Sequence, residues 1–409
     1  MRPRFRAGRM TGLSLLAGLA ATSPARAQDR VVPNDNRVPA GTRSGSVVRV
    51  SLVARVAIWH PDGANAPGAP MFAFAEASGP ARIPGPLLRA PAGTEAVVRL
   101  RNALTDTLRV FGLFGRTEPL PDTMPVVLAP GEARELRLRL DRPGTYHYWG
   151  TTTRRLLGFR TGEDSQLSGA IVIDPPRGQR RTIPDRVFVV GMWSDTVHRV
   201  GTKRARVLGV INGQSWPGTE RLTATVGDTL RWRVINTTAD LHPMHLHGAY
   251  FRVTRRGDIA VDTAYQPRAG AGTGDLAVTE SMTSGQTMLM EWVPERAGNW
   301  LFHCHVPEHF ERRGPLGTQA PRDAAVAHDH ADGGMGGLVM GIAVRSRRPV
   351  FATPPVGPTT AERRIRLLVR ANQSGTDSVP YFGYALHEGG AEPPPASGLV
   401  SAPVLDLVR

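Results

Sequence analysis

The chain reads as an all-β protein made of repeated sandwiches, and three observations carry that reading. Apolar residues come in short alternating runs, such as Val47-Val48-Arg49-Val50-Ser51-Leu52-Val53 and Leu230-Arg231-Trp232-Arg233-Val234. That is the period of strands with one buried face. Turn formers are abundant, with 45 glycines and 35 prolines in 409 residues, and no long amphipathic helical pattern interrupts the runs. The third observation is an internal repeat.

In the repeat, Arg142-Pro143-Gly144-Thr145-Tyr146-His147-Tyr148-Trp149-Gly150-Thr151 lines up with Arg296-Ala297-Gly298-Asn299-Trp300-Leu301-Phe302-His303-Cys304-His305. Upstream, Pro130-Gly131-Glu132 matches Ser284-Gly285-Gln286, and Ala92-Gly93-Thr94 through Asn102 matches Val226-Gly227-Asp228 through Asn236. Two domains are therefore expected, over 46–175 and 184–346, joined by a linker at 176–185. The resemblances that follow read as a third copy opening in 361–409. Arg364–Val369 resembles Arg49–Val53, Tyr381–Ala385 resembles Met71–Ala75, and Ala402–Asp406 resembles Gly85–Arg89. The alternative for 361–409 is a tail with unrelated strands.

Residues 1–27 read as a signal peptide. Arg2, Arg4, Arg6 and Arg9 precede an apolar run from Leu13 to Ala21, and Ala25-Arg26-Ala27 is a cleavage pattern. The expected location is periplasmic or secreted, with no membrane span. The formal net charge is +15, almost all from arginine, with Lys203 the single lysine. No basic run is interleaved with aromatics and no nucleic-acid motif is present, so the charge is read as a solvated arginine-rich surface.

The chemistry is concentrated in two strings. His303-Cys304-His305-Val306-Pro307-Glu308-His309 contains the only cysteine, and His242-Pro243-Met244-His245-Leu246-His247-Gly248 lies about sixty residues upstream. Side chains alternate across a strand, so Cys304 faces one way and His303 and His305 the other. His245 and His247 share a face, with His242 at opposite parity. This sorts the residues into one site of His242, Cys304 and His309, and a second of His245, His247, His303 and His305. One thiolate with two imidazoles is the ligand set of a blue-copper electron-transfer site. Zinc is the alternative, but one cysteine between two histidines does not fit its usual closed spacing.

These strings resemble the C-terminal copper domain of the multicopper oxidases, the laccase-like family, whose diagnostic patterns HPxHLHG and HCHxxxH both stand here intact. The resemblance implies tandem cupredoxin-like Greek-key β-sandwich domains with copper as cofactor. It implies type 1 copper at His242, Cys304 and His309, and half of a type 2/type 3 trinuclear site at His245, His247, His303 and His305. Cys304, His303 and His305 become the catalytic relay from a small-molecule or metal-ion donor toward dioxygen.

Two departures qualify the resemblance. The family's partner domain supplies four more histidines, but here the repeat sets His245 and His247 against Gly112 and Phe114, and His303 and His305 against Trp149 and Thr151. The missing half then comes from a third domain or another chain, including a homo-oligomer. Otherwise the cluster is degenerate, and the alternative is a non-catalytic cupredoxin that carries electrons or binds copper. His147 is expected as a packed residue and His60 as a loop residue. The usual axial position falls on Gly314. An insertion to Gly334, carrying His328-Asp329-His330, precedes Met335-Gly336-Gly337-Leu338, and Met335 is the expected axial ligand, with Leu338 the alternative. A copper nitrite reductase is a weaker option, because that family's cysteine-containing site belongs to the first domain and domain one here has no cysteine.

Overall fold

The computed structural model describes residues 29–77, 79–176, 178, 184–194, 207–247, 250–265, 276–310, 335–347, 366–372 and 381–387. The signal-peptide segment, most of the 176–185 linker, Gly314, His328–His330 and 402–406 lie outside the described residues. Residues up to Arg347 form one compact unit and the remainder a second.

The alternating runs become strands, and these assemble into four sheets in the first unit. The first sheet has Val47–Trp59 at its centre, flanked by Ala69–Glu76 and Thr94–Asn102, with Ala133–Leu140 at one edge. The second runs Gly85–Pro91, Ser168–Asp174, Gly144–Thr151, Leu108–Phe111, Val126–Leu128. Leu52, Val98 and Leu100 from the former meet Leu108, Tyr146, Tyr148 and Ile171 from the latter in one core. The third and fourth sheets repeat this arrangement. Asp185–Ser194, Leu230–Asn236, Thr287–Trp292 and Phe251–Gly257 face Arg221–Thr225, Val339–Arg345, Gly298–Cys304, His242–Leu246 and Thr279–Met282. The interior there is rich in large, polarizable side chains: Trp232, Trp292, Phe302, Met244, Met282, Met288, Met290 and Met340. Among the described residues the one α-helix is the single turn Pro307–Phe310.

The repeat holds atom by atom at its anchor. Asn102 and Asn236 are both fully buried. The Asn102 Nδ2 donates to the carbonyls of Asp106 (2.8 Å) and Leu128 (3.1 Å), and the Asn236 Nδ2 to those of Asp240 (2.8 Å) and Met282 (3.0 Å). Gly131 and Gly285 each donate a backbone N–H to the asparagine carbonyl at 2.9 Å, from the same left-handed φ of 79°, a conformation that favours glycine. Leaving either asparagine unpaired in a core would cost about 1–3 kcal/mol. Each asparagine thereby shapes the loop leading into the next strand of the opposite sheet.

Strand register corrects the alignment of the metal-bearing positions. Trp149 pairs with Phe111, and His303, its repeat equivalent, pairs with His245. The residues matching His245 and His247 are therefore Phe111 and Leu113, one position before the Gly112 and Phe114 expected from the sequence. Phe111 and Trp149 stack at 4.2 Å, and the Thr151 hydroxyl donates to Asp164 at 2.6 Å. Aromatic packing and a hydroxyl–carboxylate bond take the place of imidazoles on that face of the first sandwich.

Two apolar clusters and a buried polar network join the sandwiches. Trp59, Met71 and Ile83 pack on Leu208 and Val210; Leu87, Ala170 and Val172 pack on Val187, Val189 and Ile235. The Arg233 guanidinium and Asp185 carboxylate, both with fully buried side chains, pair at 2.6 Å. Arg89 joins Asp185 from the first sandwich at 2.8 Å, and Arg233 donates to the Thr145 hydroxyl. His147, expected as a packed residue, is fully buried and donates Nε2–H to the Gly285 carbonyl at 3.0 Å across the same interface.

In the second unit, Arg366–Asn372 pairs antiparallel with Tyr381–His387. Leu368 stands opposite Ala385 there, as Val53 stands opposite Ala75 in the first sandwich.

Candidate metal centre

Strand Gly298–Cys304 pairs with His242–Leu246, placing Cys304 opposite Met244 and His303 opposite His245. Cys304 and Met244 point into the core and are fully buried. His242 has the same parity as Met244 and is also fully buried. The turn Pro307–Phe310 folds His309 back beneath them. It is held there because the His309 carbonyl accepts the Leu338 N–H at 2.8 Å. Gly337 has φ 63°, and any Cβ there would run into that same carbonyl.

The three side chains converge. Cys304 Sγ lies 3.5 Å from the Nδ1 of both His242 and His309, and the two Nδ1 atoms are 3.1 Å apart. A cation centred among them would sit about 2 Å from each, the range of a metal–imidazole bond. Hydrogen bonding at the far nitrogens decides how the rings are protonated. The Thr238 hydroxyl donates to Asn236 Oδ1 at 2.8 Å, so at 2.7 Å it accepts from His242 Nε2–H. The Asp240 carboxylate lies 3.5 Å from His309 Nε2 and can only accept. With the far nitrogens engaged, both Nδ1 atoms face each other and the Cys304 sulfur, so a cation between them would have all three as ligand atoms. Burial lowers the His242 pKa to about 3 and raises the Cys304 thiol to about 12. The imidazole is ready to ligate, and the thiol would release its proton to solvent only when a cation binds the sulfur.

The other face holds the second group. His245, His247 and His303 bring ligand nitrogens within 4.8 Å of one another, and the His305 ring is 5.0 Å from His245 and 5.5 Å from His303. The His303 Nδ1 donates to the Cys304 carbonyl at 2.7 Å, leaving Nε2 to face His247 Nε2 at 2.9 Å. Burial lowers the His303 pKa to about 4, and burial also lowers those of His245 and His247. His303 is buried, whereas His247 and His305 are exposed, so this nest opens outward. The structure thus brings His242, Cys304 and His309 together, and separately His245, His247 and His303, with the His305 ring beside the second group. Thr238, Asn236 and Asp240 were not anticipated; the match of Asn102 to Asn236 was the available signal. Met335 is half-buried, three residues before the fully buried Leu338.

A buried Cys-His-His triangle with soft and borderline ligands, set in a β-sandwich, is a donor set that fits copper. Residues 186–313 match the family model described as Multicopper oxidase. The match covers the second sandwich and not the whole chain. The chain is 24% identical over 215 residues to multicopper oxidase mco of Staphylococcus epidermidis (47% of this chain, 46% of that protein). It is 31% identical over 101 residues to ceruloplasmin of Rattus norvegicus (24% and 8%). Over 240 residues it is 28% identical to a probable nitrite reductase-hydroxylamine oxidoreductase fusion protein of Kuenenia stuttgartiensis (56% and 26%). The chain thus spans less than half the length of each of these relatives. Among solved structures, the multicopper oxidase mgLAC has a TM-score of 0.51 at 18% identity, over 72% of this chain and 86% of that one. The blue copper oxidase of Nitrosomonas europaea has a TM-score of 0.51 at 17% identity (72% and 85%). At these identities the likeness is one of fold. No helix among the described residues is long and apolar enough to cross a membrane.

Proposed function

We propose that the chain is a laccase-type copper oxidoreductase that takes single electrons from a donor at a type 1 copper held by His242, Cys304 and His309. The observation that carries this reading is the buried triangle in which Cys304 Sγ and the Nδ1 atoms of His242 and His309 lie 3.1–3.5 Å from one another. Copper bound there supplies one-electron redox chemistry. The protein supplies the route. Cys304 is covalently joined to His303 and His305, and the His303 Nδ1–H···O=C bond to Cys304 adds a 2.7 Å hydrogen-bonded path. Both lead to the four-imidazole face, which serves as half of a dioxygen-reducing cluster. Met335 is the proposed axial contact, with Leu338 the alternative. The proposed domains are 46–175 and 184–346, with 361–409 opening a third, and 1–27 acting as a secretion signal.

A second reading is favoured by Phe111, Leu113, Trp149 and Thr151, which occupy the positions of the absent imidazoles. In that reading the chain is a one-copper electron carrier, and no half-cluster is completed. Copper content and oxygen consumption of the copper-reconstituted protein separate the two. Roughly four coppers with oxygen uptake supports the oxidase; one copper without uptake supports the carrier.

A further inference from the structure

A guanidinium is costly to bury unless its N–H groups find partners, and Arg160 is buried where the two sandwiches meet. It follows the turn Leu157–Phe159, in the loop after strand Gly144–Thr151. Its planar fork reaches both ways. Nη1 donates to carbonyls of the first sandwich, at Gly150 (3.0 Å) and Asp164. Nη2 crosses to the second sandwich and donates to the Thr237 carbonyl at 3.3 Å. The guanidinium carbon lies 5.0 Å from the centroid of the Trp149 ring, the residue that stands in the first sandwich where His303 stands in the second.

The Thr237 carbonyl belongs to the peptide that leads into Thr238. A peptide unit is planar, so a bond to its oxygen sets the plane on one side of the Thr238 Cα. The N–H of that same plane donates to Asn236 Oδ1 at 3.0 Å. The next plane is set by Ser284, whose hydroxyl donates to the Thr238 carbonyl at 2.6 Å. With both planes fixed, the Thr238 Cβ has a fixed direction, and its hydroxyl meets His242 Nε2 at 2.7 Å. Of these three holds, Asn236 and Ser284 belong to the second sandwich and Arg160 to the first.

We propose that Arg160 is a positioning residue for the His242 imidazole, acting from the first sandwich through the Thr237–Thr238 peptide. The face of the first sandwich that carries Trp149 and Thr151 in place of imidazoles thereby takes part in the metal centre of its neighbour. The consequence for copper rests on the copper reading above; the orientation of the ring does not.

The principal test is Arg160→Lys. A lysine ammonium keeps the buried charge and can stay with the Gly150 and Asp164 carbonyls, but it lacks the fork that spans both sandwiches. In copper-free protein, exchange of the His242 Nε2–H with solvent, followed by NMR on isotope-labelled histidine, is expected to speed up several-fold. Copper affinity, from competition against a chelator, is expected to fall about tenfold. The double variant Arg160→Lys with Thr238→Val is expected to bind copper as weakly as Thr238→Val alone, because both changes act through one contact. Unchanged exchange, or affinity losses that add, would overturn the proposal, leaving Arg160 a residue that only stabilises the interface. Arg160→Gln, too short to reach Thr237, repeats the measurements if the lysine variant does not fold, and failure of both to fold also overturns it. If the parent protein binds no copper at the triangle, the copper reading fails, while faster exchange in Arg160→Lys still supports the positioning role.

Discussion

The Nδ1 atoms of His242 and His309 lie 3.1 Å apart, each 3.5 Å from the Cys304 sulfur. Thr238 and Asp240 orient the two rings by engaging their far nitrogens. In the proposed copper site the imidazoles are thus held by groups outside the triangle.

Thr238→Val keeps the shape of the side chain and removes the acceptor for His242 Nε2–H. Losing such an outer partner typically costs about 10–100-fold in metal affinity. Competition titration of copper against a chelator is expected to show a loss in that range, accompanied by a lower Tm from the lost hydroxyl bonds to Asn236 and the Asp240 backbone.

The interface between the sandwiches depends on a buried ion pair, Arg233 with Asp185. Arg233→Met removes one ion-pair partner of that buried carboxylate and leaves Arg89 as another. Breaking such a pair costs about 3–5 kcal/mol, read as a lower urea midpoint. The double variant Arg233→Met with Asp185→Leu is expected to recover part of the loss, since no charge then remains unpaired there.

His147 makes the protein sensitive to acid. Its folded pKa is lowered to about 4 by burial, below the ordinary value of about 6.5. Its contribution is fully present above about pH 6.5 and is lost as pH falls toward 4, because the unfolded chain takes up a proton that the folded one refuses. The difference amounts to about 3 kcal/mol. His147→Gln keeps a donor for the Gly285 carbonyl and is expected to flatten that part of the stability profile between pH 6.5 and 4, measured by urea unfolding.

Much of the metal centre was legible in sequence because strand alternation is a strict geometric rule. Parity alone separated Cys304 and His242 from His245, His247, His303 and His305, and register pairs Met244 with Cys304 and His245 with His303. Loops obey no such rule, so Thr238 and Asp240 were not readable. The one-residue slip at Phe111 has a physical origin too. Anchoring on the string HPMHLHG ignored the buried asparagines. Counting forward from Asn102 and from Asn236 by equal steps reaches Phe111 and His245, the positions that strand pairing confirms.

The most direct measurement is the visible spectrum of the copper-reconstituted protein beside that of Cys304→Ser. The account predicts an intense thiolate-to-copper charge-transfer band in the parent and none in the variant, at equal secondary structure by circular dichroism. Absence of the band at saturating copper, or its persistence in Cys304→Ser, would contradict the assignment of His242, Cys304 and His309 as the type 1 site.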